Sequence, residues 1–414
     1  MLRMSKMPEE LMREKSERLS RVMELKEPDR VPLSFASCFG EFMAKYSGIT
    51  VDDFLFNYDK TRESAVKFAS DFLHDMLVLA PGAEGFIFSV AFSNHPDIAP
   101  LVRFLTGPMH DILHDKYTRW PGRELPHNIP FQFIGGEFVS LSEYDELIED
   151  PVEFIIKTVL PRTCGTLEAP GSQQAMAVLV RLGMESLKFG SFLGALGADL
   201  AKVGYPSLPI TFAYCPLDFI GDFLRKPTGA LIDVRRVPDK VKSACEALVK
   251  PILNVALALK PAGANLAFIP LHLNEYLAPK LYNEFYWPYL KRIIVELYDN
   301  GIKSFVFFEG YHDAHLETIL ELPKGWGIAY FEKTDIRKAK KVLGGHSCVM
   351  GGLPIPLMVS GTPEKIEEYV RDLLKDVMSG GGFILAPGVA EIPGETPIEN
   401  MRAIIKAVEK HGRY

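Results

Sequence analysis

Three side chains stand where a parallel-stranded α/β enzyme keeps its chemistry. His272 closes the run AFIPLH, Glu309 closes FVFFE and Glu332 closes AYFE. Each is the first polar residue after an apolar run, which places it at the carboxyl end of a strand, on the rim where barrel catalysis occurs. One imidazole and two carboxylates are chemically adequate for zinc, with a position left open for substrate or water. A site so rich in oxygen suits polarising another oxygen better than binding a thiolate, so an ether or alcohol is the natural target. His312 and His315, in GYHDAHLE, follow Glu309 and offer alternative ligands or a proton donor. Tyr311 is placed to steady a departing oxyanion. Tyr214, Cys215 and Asp218 share the loop after the strand-like PITFAY and are candidates to line the pocket.

Each of these residues also has an ordinary structural explanation. A Glu at a strand end is often the first-turn acid of the next helix. His272, in LHLNEYLAP, suits a hydrogen-bonded turn, and His315, three residues beyond His312, suits a helix interior. A lone buried cysteine such as Cys215 is usually a small hydrophobe. His346 precedes a strand, which puts it at the end of the fold away from the chemistry. Glu84 and His95 are minor candidates from a stretch that is hard to read.

The elements that must position these groups are clearest in the second half. A helix over roughly 8–27 leads through EPDRVPLSF into a first strand at about 33–36, and residues 50–80 read as helices. GFIFSV at 85–90 is a short, strand-like apolar run, and residues 91–205 are only weakly periodic. From Pro209 onward strands alternate with helices of ten or more residues, ending in GGGFILAP and an amphipathic helix. That alternation implies parallel strands joined by right-handed crossovers. The expectation is an α/β fold, a (β/α)8 TIM-type barrel with an N-terminal helical extension and insertions, over residues 1–414 as a single domain. Hydrophobic residues make up 47% of the 414, enough for a core of that size.

Charge and composition exclude other classes. The net charge of −7 and the lack of a basic run interleaved with aromatics argue against nucleic acid. The N-terminal stretch lacks the apolar segment of a signal peptide, and no run is long enough to span a membrane. Five scattered cysteines without a CxxC suit a reducing cytoplasm.

The segments KEPDRVP, LAPKLYNEFYWPYLKRIIVELYDNGIKSFVFFEG, GGLPIPLMVSGTPEKIEEYVRDLL and GGGFILAPG…IPGETPIENMRAIIKAV resemble, in this order, the uroporphyrinogen decarboxylase superfamily. That superfamily includes the decarboxylase of haem synthesis and cobalamin-dependent methyltransferases. The decarboxylase branch implies paired arginines near the first strand to grip a polycarboxylate. SFASCFGEFMAKYSG has none. The methyltransferase branch implies a His-x-Cys pair and a last-loop cysteine as zinc ligands. Those positions fall here on Phe307, Glu309 and about Val389. An acidic ligand near Glu332 is also implied by some members.

The resemblance therefore implies a methyltransferase. It would pass a methyl group from a small methylated donor to the Co(I) of a corrinoid (cobalamin) carried by a partner protein, with zinc on His272, Glu309 and Glu332. Rim aromatics such as Phe307, Phe308, Tyr330 and Phe331 favour a methoxylated aromatic donor, making this an O-demethylase component. Tyr214, Asp218, Tyr311 and His312 are the expected catalytic groups. Gly351, Gly352, Pro387 and Gly388, in the last two units, are expected to meet the cofactor. A homodimer is a possible assembly. Two rivals stand beside this reading: a decarboxylase or lyase of a small acid, which predicts a cation deep in the pocket, and a non-catalytic ligand-binding homologue.

Overall fold

Proline and glycine punctuate the chain, and regular elements fall between them. The structure, a computed structural model, describes residues 6–79 and 81–414. The first elements are α1 (Pro8–Met23), β1 (Ser34–Ser37), α2 (Tyr58–Asp71) and β2 (Met76–Leu79). A short antiparallel pair follows, β3 (Ala83–Glu84) with β4 (Phe104–Leu105), and then the long α3 (Gln173–Lys202). From there the alternation predicted from sequence holds. β5 (Ile210–Phe212), α4 (Pro216–Phe219), α5 (Pro238–Leu257), β6 (Leu266–Leu271), α6 (Trp287–Asp299) and β7 (Lys303–Phe308) come first. β8 (Gly327–Phe331), α7 (Ile336–Leu343), β9 (Cys348–Leu353), α8 (Pro363–Val377), β10 (Phe383–Pro387) and α9 (Ile398–His411) complete the chain. Among the described residues no helix is long and apolar enough to cross a membrane.

These elements form two compact units, each assembled from separated segments. The terminal unit comprises the chain up to Pro81, Ser191–Leu208 and Gly310–Tyr414. The central unit comprises Gly82–Gly190 and Pro209–Glu309.

In the terminal unit β8, β9 and β10 pair in parallel, as do β1 and β2, and a parallel bridge from Leu33 to Leu385 joins β1 to β10. The KEPDRVP segment fixes where β1 begins. Asp75 is fully buried and takes Arg30 Nη1 at 2.7 Å and the backbone N–H of Leu33 at 2.8 Å. Arg18 also donates to it and reaches Asp29 at 2.6 Å. Burial alone would raise the Asp75 carboxyl; Arg30 and Arg18 outweigh it and hold the group below its usual range. In the loop after β10, Glu391 accepts from Phe39 N at 2.7 Å and from Ser37 Oγ at 3.1 Å.

In the central unit β5, β6 and β7 pair in parallel, and their outer ends lead into the loops that carry the candidate site. Phe212, Phe268 and Phe305, one from each strand, stack edge to face at 5.7 and 5.2 Å and fill the space behind it.

Four segments differ from the sequence expectation. α1 stops at Met23 rather than near residue 27, with Leu25 in a left-handed turn (φ 61°). Residues 76–79, expected as helix, form β2, because α2 ends at Asp71 and the apolar MLVL pairs beside β1. GFIFSV forms a helix (Phe86–Ala91) instead of a strand; six apolar residues carry no period that separates the two states. AHLETILEL lies in a 3₁₀ run, Asp313–Glu321. The region 91–205 contains the longest helix of the chain, α3.

Candidate functional site

His272, one residue past β6, sits at the centre of a charged cluster built wholly within the central unit. Its Nδ1 lies 2.6 Å from Asp222 Oδ2, and its Nε2 lies 3.5 Å from Glu309 Oε1. Tyr214, beyond β5, donates its hydroxyl to the same Asp222 oxygen at 2.8 Å and lies 3.4 Å from His272 Nδ1. Asp218 is fully buried; it accepts the backbone N–H of Leu273 at 2.9 Å and the hydroxyl of Tyr286. Asn274 Nδ2 donates to the Glu309 carbonyl at 2.8 Å and fixes the end of β7 against this loop.

The local fold explains why the two aspartates converge. α4 passes directly into a π-helical turn, Ile220–Leu224, so Asp218 and Asp222 project from one side of successive turns. Gly221 lies between them, and a Cβ there would come 3.1 Å from Leu273 Cδ1.

Electrostatics make His272 a cation. Burial alone would lower its basicity, but Asp222 and Glu309 raise it well above the ordinary histidine value. With its side chain 26% exposed, the imidazolium keeps an open face beside Glu309. Burial pushes Asp218 up to about 7. Burial also keeps Tyr214 and Tyr286 protonated, so both phenols act as donors.

A second arm enters from the β3–β4 pair. Burial raises Glu84 to about 7; Asp222 and Glu309 add to that rise while His272 and Arg103 oppose it, so Glu84 shares the field of the cluster. Arg103 precedes β4, and its guanidinium lies 5.1 Å from the Phe104 ring centre and 5.0 Å from that of Phe212. Its Nε is buried without a hydrogen-bond partner. Burial lowers it to about 10, with Glu84 working against that, and it stays charged at neutral pH. Gly85 permits the close approach of the two strands: a Cβ there would stand 2.8 Å from the Phe104 carbonyl carbon.

Most of the remaining sequence candidates lie in the terminal unit; Cys215 and His95 belong to the central unit. Glu332 Oε2 accepts the Gly310 N–H at 2.6 Å, the loop-capping role that a strand-end acid often has. His312 is fully buried; burial and the nearby His315 ring, 5.3 Å away, hold it well below its ordinary value. The ring offered from sequence as an alternative ligand or proton donor is thus neutral and enclosed, whereas His272 carries the charge. Tyr311 is 63% exposed. Gly351 and Gly352 have φ of 135° and 99°, and Cβ atoms there would meet Phe331 O at 2.8 Å and Leu373 Cδ2 at 2.9 Å. Gly388 would meet Glu332 O at 2.6 Å, and the Pro387 carbonyl accepts from Tyr330 at 2.7 Å. The close neighbour is a backbone carbonyl at Gly351 and Gly388 and the Leu373 side chain at Gly352. Cys215 is buried, and burial raises its thiol well above the usual range, so it is an inert filler. His346 is satisfied by Ser347 Oγ at 2.9 Å and Leu322 O at 3.0 Å.

Of the three residues implied to hold zinc, His272 and Glu309 meet at 3.5 Å, whereas Glu332 Oε2 accepts the Gly310 N–H. Among the described residues no group of three or more His, Cys, Asp or Glu is placed to hold a metal ion.

Sequence reasoning missed Asp222 and Arg103. Asp222 carried a usable signal, since Asp218 and Asp222 stand four apart on a predicted helix. Arg103 carried none, because it lies in the stretch without periodicity.

A family model described as Uroporphyrinogen decarboxylase (URO-D) matches residues 202–411. The uroporphyrinogen decarboxylase of Helicobacter pylori (strain J99) is 29% identical over 231 residues, 53% of this chain and 62% of that protein. That of Myxococcus xanthus (strain DK1622) is 30% identical over 152 residues, 36% of this chain and 42% of that protein. The chain thus spans less than two thirds of the length of these curated relatives. A methyltransferase from Methanosarcina mazei shares the fold with a TM-score of 0.61 at 14% identity, over 95% of this chain and 97% of that one.

Proposed function

The chain belongs to the uroporphyrinogen decarboxylase family, and from that premise we propose that it is a corrinoid-dependent methyltransferase on a (β/α)8 barrel frame. In this reading it takes a methyl group from a methoxylated aromatic acid. The acceptor is a reduced corrinoid on a partner protein, which supplies the nucleophile that takes the methyl carbon.

The observation that carries the reading is the His272 imidazolium, anchored through Nδ1 by Asp222, with Nε2 facing Glu309 at 3.5 Å on a side chain 26% exposed. Cleaving an aryl methyl ether sends the electron pair of the C–O bond to the aryl oxygen, a poor leaving group unless charge is neutralised as it forms. His272 Nε2–H donates to that oxygen and gives up its proton, so the phenol leaves neutral. Asp222 holds the ring in place and favours its charged form, and Tyr214 orients Asp222. Solvent at the exposed side of the His272 ring returns a proton to Nε2 for the next turnover, and the Glu309 carboxylate beside it favours that charged form. The work expected of zinc thus falls to an organic acid, and no step here passes through a metal. Arg103 offers its guanidinium to the carboxylate of the donor, with Phe104 and Phe212 beside the aryl ring.

The test is a single reaction mixture of purified chain, a reduced corrinoid protein and 3-methoxybenzoate. Appearance of 3-hydroxybenzoate together with methylated corrinoid supports the reading. Arg103 and the curated relatives favour a second reading, decarboxylation of a small acid. Release of CO2 without demethylation supports that one, and neither product sinks both. Elemental analysis of the same preparation addresses the metal: about one zinc per chain, lost in Glu309→Ala, would restore the Lewis-acid mechanism.

A further inference from the structure

A cavity of about 600 Å³ lies wholly within the terminal unit, at the amino ends of β1 and β2. Helical spacing assembles its walls. Leu11, Lys15 and Arg18 share one face of α1, and Ile405, Val408 and Glu409 share one face of α9. Leu33 and Leu73 add to the aliphatic side. Lys6 and Arg413 are exposed and Glu409 partly so, which turns them toward solvent. The most buried polar lining residues are Lys15, 3% exposed, and His74, 1% exposed. Among the described residues neither Lys15 Nζ nor His74 Nε2 has a hydrogen-bond partner. Both lie against one ring: Lys15 Nζ is 3.1 Å from the centre of Tyr205, and the His74 ring centre is 4.8 Å from it.

The two unpaired atoms require opposite partners. His74 Nδ1 lies 2.6 Å from the Phe72 carbonyl, which only accepts, so Nδ1 carries a proton. Burial pushes His74 down to about 3, so the ring is neutral and Nε2 can only accept. An ammonium has donors only, and Lys15 is best met by an anion. The nearby acids are already engaged: Glu14 pairs with Lys6, Asp29 with Arg18, and Asp75 with Arg18 and Arg30. Burial lowers Lys15 to about 7; Arg30 and Arg18 add to that fall and Asp75 opposes it. A buried ammonium without a partner is costly, and an entering anion removes that cost. Leu11, Leu33, Leu73, Ile405 and Val408 offer the rest of the ligand a hydrocarbon wall. Strand amino ends are not where such folds keep their chemistry, so a molecule held here is bound rather than converted. We propose that this cavity binds an aliphatic hydroxy acid, its carboxylate on Lys15 Nζ and its hydroxyl donating to His74 Nε2.

The experiment is calorimetry of the full chain with 2-hydroxyoctanoate, which should bind at one site per chain. Octanoate lacks the donor for His74 and should bind about 3- to 10-fold more weakly. Lys15→Met keeps the apolar stem and removes a nitrogen that holds no hydrogen bond, so it should fold as the wild type does. It should weaken 2-hydroxyoctanoate about 10- to 100-fold. Binding should persist in Arg103→Met, which separates this cavity from the carboxylate site of the proposed reaction. Inorganic phosphate, an anion without a tail, should not displace the hydroxy acid at equal concentration. A wild type that binds no 2-hydroxyoctanoate overturns the proposal. So does equal affinity for octanoate, binding undiminished by Lys15→Met, or binding lost in Arg103→Met. Displacement by phosphate at equal concentration overturns it too, in favour of a plain anion site. If Lys15→Met does not fold, the comparison of the two acids on the wild type decides.

Discussion

Replacing Asp222 with Asn removes one negative charge from the His272 cluster and almost no volume. Two unit charges about 4 Å apart in surroundings of effective dielectric about 20 attract by about 4 kcal/mol. Asp222 and His272 are closer than that, at 2.6 Å, and solvent screens them little, with side chains 5% and 26% exposed. Glu309, at 3.5 Å, remains in the variant and retains part of the field. The net loss should therefore match that of one hydrogen bond to a charged group in a shielded site, about 2–3 kcal/mol. At about 1.4 kcal/mol per factor of ten, proton binding by the imidazole weakens roughly 30- to 150-fold. The sign follows from linkage. In the wild type the folded ring holds its proton more tightly than the unfolded one. The pair's contribution to stability is complete below the ordinary value of 6.5 and fades as pH rises through the elevated folded value. In Asp222→Asn the fade starts from the same 6.5 but is smaller and complete at a lower pH. Side-chain NMR titration of His272, assigned with His272→Gln, reads the shift directly. The pH profile of kcat/KM should lose its alkaline side while the acid side persists. An unchanged titration, or an activity loss equal at every pH, would refute the role given to Asp222.

Three further outcomes are expected. Arg103→Met should weaken binding of benzoate-type ligands about 10- to 100-fold, as loss of a charge-assisted contact does; calorimetry should show no such change for an uncharged methoxyarene. Glu84→Gln should raise the thermal midpoint at pH 8 and leave it nearly unchanged at pH 5. Glu84 holds its proton up to about 7 when folded against an ordinary 4.5, so stability falls across that interval as pH rises, by up to about 3 kcal/mol, and the penalty is complete above 7. Gly85→Ala forces a methyl group to within 2.8 Å of the Phe104 backbone and should cost about 1–3 kcal/mol in chemical denaturation, with ligand affinity lost alongside it.

How much of this was legible in the sequence depended on whether local pattern decided the structure. β6, β7, α7, β9, α8 and β10 were all readable, because buried parallel strands are short apolar runs and their covering helices are amphipathic. His272 and Glu309 were placed by the same logic and do meet, at 3.5 Å. Glu332 obeyed the same pattern yet spends its carboxylate on Gly310, a distinction that strand-end position cannot make. His312 looked exposed in a loop of polar residues, and only the packed structure shows it enclosed. Asp222 stands four residues after Asp218 on the helix expected beyond β5, a spacing that places both on one side, but its meeting with His272 is a tertiary contact that this spacing does not announce. Arg103 depends on the pairing of two-residue strands twenty positions apart.

The discontinuous make-up of the two units also sets an order of events during synthesis. The central unit is complete once Glu309 has emerged, so it can close on the ribosome while the rest of the chain is still being made. β1 is made before the central unit, but its partner at Leu385 is made only after that unit. At 5–20 residues per second that delay is roughly 20–70 s. Throughout it β1 and its neighbour β2 lack that flank, which leaves one strand edge open to other chains until β10 arrives.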